Sequence, residues 1–280
     1  MTIFRRDRPA TGAELRAAIY AGAVFHLPPT ASSRALVDDA NARLRAALGD
    51  VDDDVRAAQA KLSNDDFFRR LGEVRRSLYL DPGAHAAVGR LLAELGLDPA
   101  RSAFDPVRMR VVGHEGHQNP AASAVYYAHR DTWYAHPQAL VVAWVPLHDV
   151  VEGETFVFYP DWFDRPAPND SEVFDYDEWV SKGWSLKIGW QDPRAGLHAR
   201  YPRLTAPLEA PRAEGFSARA GEVLLFSGAH LHETRRHALG RTRFSLDVRV
   251  VDLDDHARGL GAPNADNRSR GSSVPDYVRP

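Results

Sequence analysis

Three stretches of the chain bring together residue types that can hold a metal ion and an organic acid. The first is His129-Arg130-Asp131. On an extended strand, side chains two apart point to the same side, so an imidazole and a carboxylate would converge there. The triplet is common by chance, and alone it suits a surface histidine beside an unrelated acid equally well. The second stretch, GEVLLFSGAHLH over residues 221–232, runs from a Gly-Glu turn through an apolar strand to a loop bearing His230 and His232. One of these would complete a two-histidine, one-carboxylate set, which leaves three positions open on Fe(II). Local hydrogen bonding of both imidazoles is the plainer alternative. The third stretch, RTRFSLDVRVV over residues 241–251, alternates strictly. Phe244, Leu246, Val248 and Val250 share one face, and Arg243, Ser245, Asp247 and Arg249 share the other. A polar face on an interior strand is costly unless it lines a ligand cavity or pairs internally. Arg243 lies eleven residues past His232. A guanidinium there can fork onto a carboxylate, with the Ser245 hydroxyl as a further donor.

Composition narrows the chemistry. The 280 residues include no cysteine, which excludes disulfide scaffolds, zinc-thiolate sites, iron–sulfur clusters and thiol nucleophiles. Any metal must be held by His, Asp, Glu or water. Hydrophobic residues make up 44% and charged residues 26%, which excludes disorder as a description of the whole chain. A net charge of −3 gives no general attraction to nucleic acid. The N-terminal MTIFRRDRPA lacks an apolar run behind its arginines, and no stretch is long and apolar enough to span a bilayer. These features predict a cytoplasmic protein with a small-molecule ligand, no nucleic acid and no membrane partner.

The elements that must position these residues change character along the chain. Residues 1 to about 100 read as helical, with apolar spacing of three and four over Ala13–Ala23, Ser33–Leu48, Asp65–Leu80 and Pro82–Leu95. Ser32 or Ser33 would cap the second helix, and Gly96 would end the last. From about residue 105 the period becomes that of strands: Val107–Val112, Leu140–Val145, Thr155–Tyr159, Trp184–Ile188, Val223–Phe226 and Arg243–Val251. Leu140–Val145 is apolar on both faces, as in a sandwich core. Helices first and strands afterwards predict an α+β fold in which the helices buttress a β-sandwich or barrel. Residues 261–280, rich in Gly, Pro, Asn and Ser, read as a mobile tail.

His129-x-Asp131, a distal His232 and Arg243-x-Ser245 together resemble the Fe(II)/2-oxoglutarate-dependent oxygenases, and within them the phytanoyl-CoA-hydroxylase-like family. The resemblance spans roughly residues 105–251. It implies a double-stranded β-helix (jelly roll) core over about 105–251, a helical N-terminal support over about 1–104, and a single domain over 1–260. It further implies that His129, Asp131 and His232 hold Fe(II), with His232 preferred over His230. Arg243 and Ser245 would take the distal carboxylate of 2-oxoglutarate, and O2 would be the other co-substrate. Asp131 sets the chain apart from related halogenases, which lack the carboxylate. The family's Glu-Asn-Gly after the first ligand strand is replaced here by Glu152-Gly153-Glu154-Thr155.

The resemblance implies oxidation of an unactivated C–H bond in a natural-product or amino-acid substrate by hydroxylation, with desaturation or oxidative ring closure as alternatives. Aromatic residues near the triad in sequence (Tyr126, Tyr127, Trp133, Tyr134 and Trp144) could wall off a reactive centre or simply pack. The acid-rich segment 160–179 holds seven acids against Arg165; read as a lid, it predicts an amine-bearing substrate. Arg108, Arg110 and Arg249 are either substrate contacts or members of internal salt bridges. Two other readings stay open: a cupin-like metalloenzyme that does not use 2-oxoglutarate, and a non-catalytic jelly-roll binding module.

Overall fold

The computed structural model describes residues 2–182 and 200–280. Four helices form the N-terminal support: α1 (Gly12–Tyr20), α2 (Ala31–Leu48), α3 (Asn64–Leu80) and α4 (Pro82–Glu94). Each begins at a side chain that accepts an otherwise unpaired backbone N–H: Thr11, Thr30, Ser63 and Asp81. The cap of α2 is therefore Thr30, two residues before the expected serines. Ser33 instead returns its hydroxyl to the Thr30 backbone N–H and donates it to the Gly221 carbonyl, while Ser32 binds Glu94. Gly96 ends the helical region at φ +79°, a conformation that favours glycine.

Two short strands interrupt the helices where a helical stretch was expected: β1 (Phe4–Arg5) and β2 (Val24–Leu27). Gly22, at φ +91°, ends α1 before Ala23 and turns the chain into β2. All four residues of β2 are buried, and four apolar or half-apolar residues in a row do not show which period they follow.

The remaining strands are β3 (Ser102–Val112), β4 (Leu140–Pro146), β5 (Phe156–Phe158), β6 (Val223–Ser227), β7 (His232–Thr234) and β8 (Arg243–Asp252). The major sheet runs β1-β2-β6-β4-β8-β3. The minor sheet pairs β5 with β7 and is widened by single bridges, His129 to His232 on one side and Phe158 to Glu214 on the other. From β3 onward, eight extended segments of the described residues thus divide equally between two facing sheets, all paired antiparallel. That is a double-stranded β-helix. The expected strand Trp184–Ile188 lies outside the described residues.

The helices cover one face of the major sheet. Leu36, Leu44, Phe67 and Leu71 pack there against Val141, Ala143, Phe244 and Leu246. The other face closes on the minor sheet through Val142, Trp144, Phe156 and Phe226. Strand β4 is buried on both faces because helices lie on one side of it and the minor sheet on the other.

The segment after residue 260 is bound along the body and is not a free tail. Phe104 and Val278 exchange both backbone hydrogen bonds at 2.9 Å. Asp266 accepts from the Trp133 indole at 2.8 Å and pairs with Arg130 at 3.0 Å. Its composition lacks the apolar content for a core of its own, but its polar groups satisfy buried groups of the barrel.

Candidate metal centre and cavity

His129 and His232 exchange both backbone hydrogen bonds, His129 N to His232 O at 2.9 Å and the reverse at 3.0 Å. Directly opposed residues on antiparallel strands send their side chains to the same face. The two imidazoles accordingly lie side by side, with ring centroids 4.4 Å apart. Arg130 between the ligand candidates is extended (φ −106°, ψ 141°), so Asp131 returns to the side of His129. One ligand atom each from His129, Asp131 and His232 lies within 4.8 Å of the others. His230 is not part of this group: its ring packs 4.5 Å from Phe163 and 5.2 Å from Phe158.

The outer atoms of these side chains are fixed by the protein. Nδ1 of His129 faces the Tyr127 carbonyl at 2.7 Å, and Nδ1 of His232 faces the His230 carbonyl at 3.0 Å. A carbonyl can only accept, so each Nδ1 carries the hydrogen and each Nε2 keeps its lone pair. Burial, reinforced by His232, pushes the His129 pKa down to about 3, so the ring stays neutral. Oδ1 of Asp131 accepts twice from Arg249, from Nη2 at 2.7 Å and Nε at 3.2 Å. Burial alone would raise the Asp131 carboxyl, but Arg249, His232 and His129 outweigh it and hold it far below the usual range. Two imidazole nitrogens and one carboxylate oxygen therefore converge as a facial set suited to a divalent transition metal.

Arg249 belongs to an internal network, as do Arg108 and Arg110. Arg108 pairs with Asp105 at 2.5 Å, Arg110 with Asp247 at 2.6 Å, and Arg249 also reaches Asp247 at 3.7 Å and Asp105 at 3.8 Å. All three guanidiniums nonetheless border the cavity described next.

Arg243, Asp247 and Arg249 of the polar face of β8 line a cavity of about 680 Å³ that also contains the triad, with Ser245 buried behind them. Its volume suits an organic ligand of drug size. Arg243 is 3% exposed, yet its Nε and Nη1 have no hydrogen-bond partner among the described residues. The guanidinium sits 5.7 Å from the Trp144 ring centroid, and burial pulls its pKa down to about 10. A buried, unpaired guanidinium is costly, and an anion in the cavity would remove that cost. Ser245, two residues on along the same face, accepts from Trp144 Nε1 at 2.9 Å and keeps its hydroxyl hydrogen to give. Of the five aromatics near the triad in sequence, Tyr134 and Trp144 line the cavity. Trp133 is fully buried elsewhere, and Tyr126 borders a neighbouring pocket.

The acidic segment turns its charges outward. Asp161 pairs with Arg212 at 3.1 Å, Glu172 with Arg268 at 2.6 Å and Asp175 with Arg270 at 3.4 Å, while Asp164 and Asp177 are exposed. The segment supplies the cavity wall with Phe174, Tyr176 and Trp179 instead. The segment gives no support to an amine-bearing substrate, because none of its seven carboxylates lines the cavity and three of them face arginines on the outside. Sequence reasoning also passed over Arg75, Tyr201 and His136, which line the same cavity. Arg75 could have been found from the helix period alone, since Asn64, Phe68 and Arg75 fall on one face of α3.

No family model matches the chain, and no curated protein matches it. Solved structures do. The chain is similar to EvdO2 from Micromonospora carbonacea var. aurantiaca, at 12% identity and a TM-score of 0.48, covering 89% of this chain and 94% of that one. It is similar to the non-heme alpha ketoglutarate dependent epimerase SnoN from nogalamycin biosynthesis, at 19% identity and a TM-score of 0.42, covering 95% and 98%. It is also similar to the carbocyclase SnoK from nogalamycin biosynthesis, at 15% identity and a TM-score of 0.42, covering 88% of each chain.

Proposed function

We propose that the chain is a non-haem Fe(II)/2-oxoglutarate-dependent oxygenase acting on a C–H bond of a small molecule, with hydroxylation as its outcome. The observation that carries this is the coincidence, in one cavity, of a converging His129-Asp131-His232 set and a buried guanidinium, Arg243, whose Nε and Nη1 lack a hydrogen-bond partner among the described residues. His129 and His232 would offer Nε2 and Asp131 would offer Oδ2 to iron. Arg243 would take the distal carboxylate of 2-oxoglutarate, with Ser245 as second donor. With iron, 2-oxoglutarate and O2 bound, the centre supplies C–H oxidation, and the keto acid leaves as succinate and carbon dioxide.

The protein's own part is positioning and exclusion. Arg249 holds one Asp131 oxygen so that the other faces inward, and the two backbone carbonyls hold the imidazoles in one tautomer. Trp144, Phe156 and Phe226 shield the site from water on the side between the sheets. A cupin-like enzyme without a keto acid, or a jelly-roll binding module, would have no use for the unpaired Arg243. Desaturation or ring closure at the same centre would use the same residues and is separated from hydroxylation by the product.

The test is spectroscopic. Anaerobic addition of Fe(II) and then 2-oxoglutarate to the protein is expected to produce a visible metal-to-ligand charge-transfer band. Folded protein that binds Fe(II) but gives no band with 2-oxoglutarate would overturn the assignment.

A further inference from the structure

Arg75 projects from α3 into the same cavity, on the helix face that also presents Asn64 and Phe68. It is partly buried, and its electrostatic neighbours are Arg110, Arg108 and Tyr201, with no carboxylate among them. Burial, then Arg110 and Arg108, push its pKa down to about 10. The neighbouring cations cannot share their counter-charges. Arg108 holds Asp105, while Arg110 and Arg249 divide Asp247 and Asp131. Asp65 also lines the cavity, but it lies ten residues from Arg75 on the same helix, about 15 Å along the axis at 1.5 Å per residue. Once a keto acid occupies Arg243, Arg75 is, among the described residues, the cavity cation left without an anion.

Its surroundings are aromatic. Tyr201 packs in one cluster with Tyr134, Phe174, Tyr176 and Trp179. Tyr176 and Trp179 lie 5.6 Å apart between ring centroids, at a 41° tilt. The Trp179 indole nitrogen is buried without a hydrogen-bond partner among the described residues, a second unpaired donor in the same wall. Aromatic walls accept a flat apolar body, and an unpaired guanidinium favours an anionic acceptor, to which the indole N–H can also donate.

We propose that Arg75 is the anion-binding residue for the organic substrate, which therefore carries a carboxylate or phosphate on a flat apolar body. This rests on the oxygenase assignment above for the word substrate, but the anion site itself does not require iron. It replaces the amine-bearing expectation, since the cavity presents a surplus of cations where the acidic segment suggested a surplus of acids.

Four naphthalene probes of similar shape test it by calorimetry under nitrogen, with the protein loaded with Fe(II) and saturating 2-oxoglutarate so that Arg243 is occupied. 1-Naphthoate and 1-naphthyl phosphate are expected to bind roughly ten- to a hundredfold more tightly than 1-naphthamide or 1-naphthylmethylammonium, the range for a hydrogen bond between charged groups. The comparison of the two anions tells carboxylate from phosphate. R75Q is expected to erase the preference while leaving 1-naphthamide affinity unchanged, and R75K is expected to keep most of it. Equal affinities, a preference for the ammonium probe, no anion binding at millimolar concentration, or a preference that survives R75Q would each overturn the proposal. The same titrations on metal-free protein keep the two claims apart. A missing charge-transfer band removes the oxygenase assignment, whereas the Arg75-dependent preference stands or falls on the probes alone.

Discussion

Arg249 gives two hydrogen bonds to a single oxygen of Asp131, Oδ1, at 2.7 and 3.2 Å, and leaves Oδ2 without one. The carboxylate is held in a single orientation, with one oxygen spent on the network and one turned to the histidines. Replacing Arg249 with Met is expected to lower Fe(II) or Co(II) affinity by roughly ten- to a hundredfold, the range found when an outer partner of a metal ligand is lost. Equilibrium dialysis measures this, and an unchanged affinity would mean that Arg249 does not orient the carboxylate.

The register of β7 against residue 129 separates two histidines that sequence alone left paired. His232→Ala is expected to abolish metal binding in folded protein. His230→Ala is expected to leave metal affinity within about twofold, while lowering the melting temperature because a ring packed against Phe158 and Phe163 is lost. Metal titration beside a thermal melt reports both effects, and the reverse pattern would place the ligand at 230.

Arg243→Ala is expected to weaken 2-oxoglutarate binding by roughly 10- to 150-fold, as for a lost hydrogen bond between charged groups, with Fe(II) binding retained. The protein itself is expected to lose little stability, because Nε and Nη1 have no hydrogen-bond partner among the described residues and only the contact with the Trp144 ring is forfeited. Band intensity against 2-oxoglutarate concentration gives the shift; a parallel loss of iron affinity would argue that Arg243 acts on the metal set.

Asp266 supplies the counter-charge of Arg130, which is 2% exposed and otherwise donates to backbone carbonyls such as those of Phe163 and Trp162. Asp266→Ala is expected to cost roughly 3 to 5 kcal/mol, the usual penalty for leaving a buried charge alone. Urea denaturation measures it. A cost below about 1 kcal/mol, the scale of an exposed ion pair, would show that the C-terminal segment is not anchored there.

His136 and His148 are both held down to about 3, chiefly by burial, with Arg249 and Arg56 the leading charges that add to it. A histidine with a folded-state pKa below its unfolded value near 6.5 binds its proton first in the unfolded chain. Stability is therefore fully present above about pH 6.5 and falls as the pH drops toward 3, by up to about 1.4 kcal/mol per pH unit per group. The urea midpoint is expected to decline between pH 6.5 and 4.5, before carboxylates titrate. H148Q is expected to flatten that decline, and an identical slope would remove His148 as a contributor.

Local repetition in the sequence determined much of this protein. The alternation of β8 places Phe244, Leu246 and Val248 on the helix-covered face and Arg243, Asp247 and Arg249 on the cavity face, because side-chain direction on a strand depends only on residue parity. The same rule brings Asp131 to the side of His129. Tertiary structure alone brought His232, and not His230, beside His129 and Asp131, turned the acids of 160–179 outward, tied Asp266 to Arg130 and aimed Arg75 at the cavity. Each of these depends on which distant strand or segment lies opposite. Pairing across a hundred residues is set by sheet register and packing, which no local period encodes.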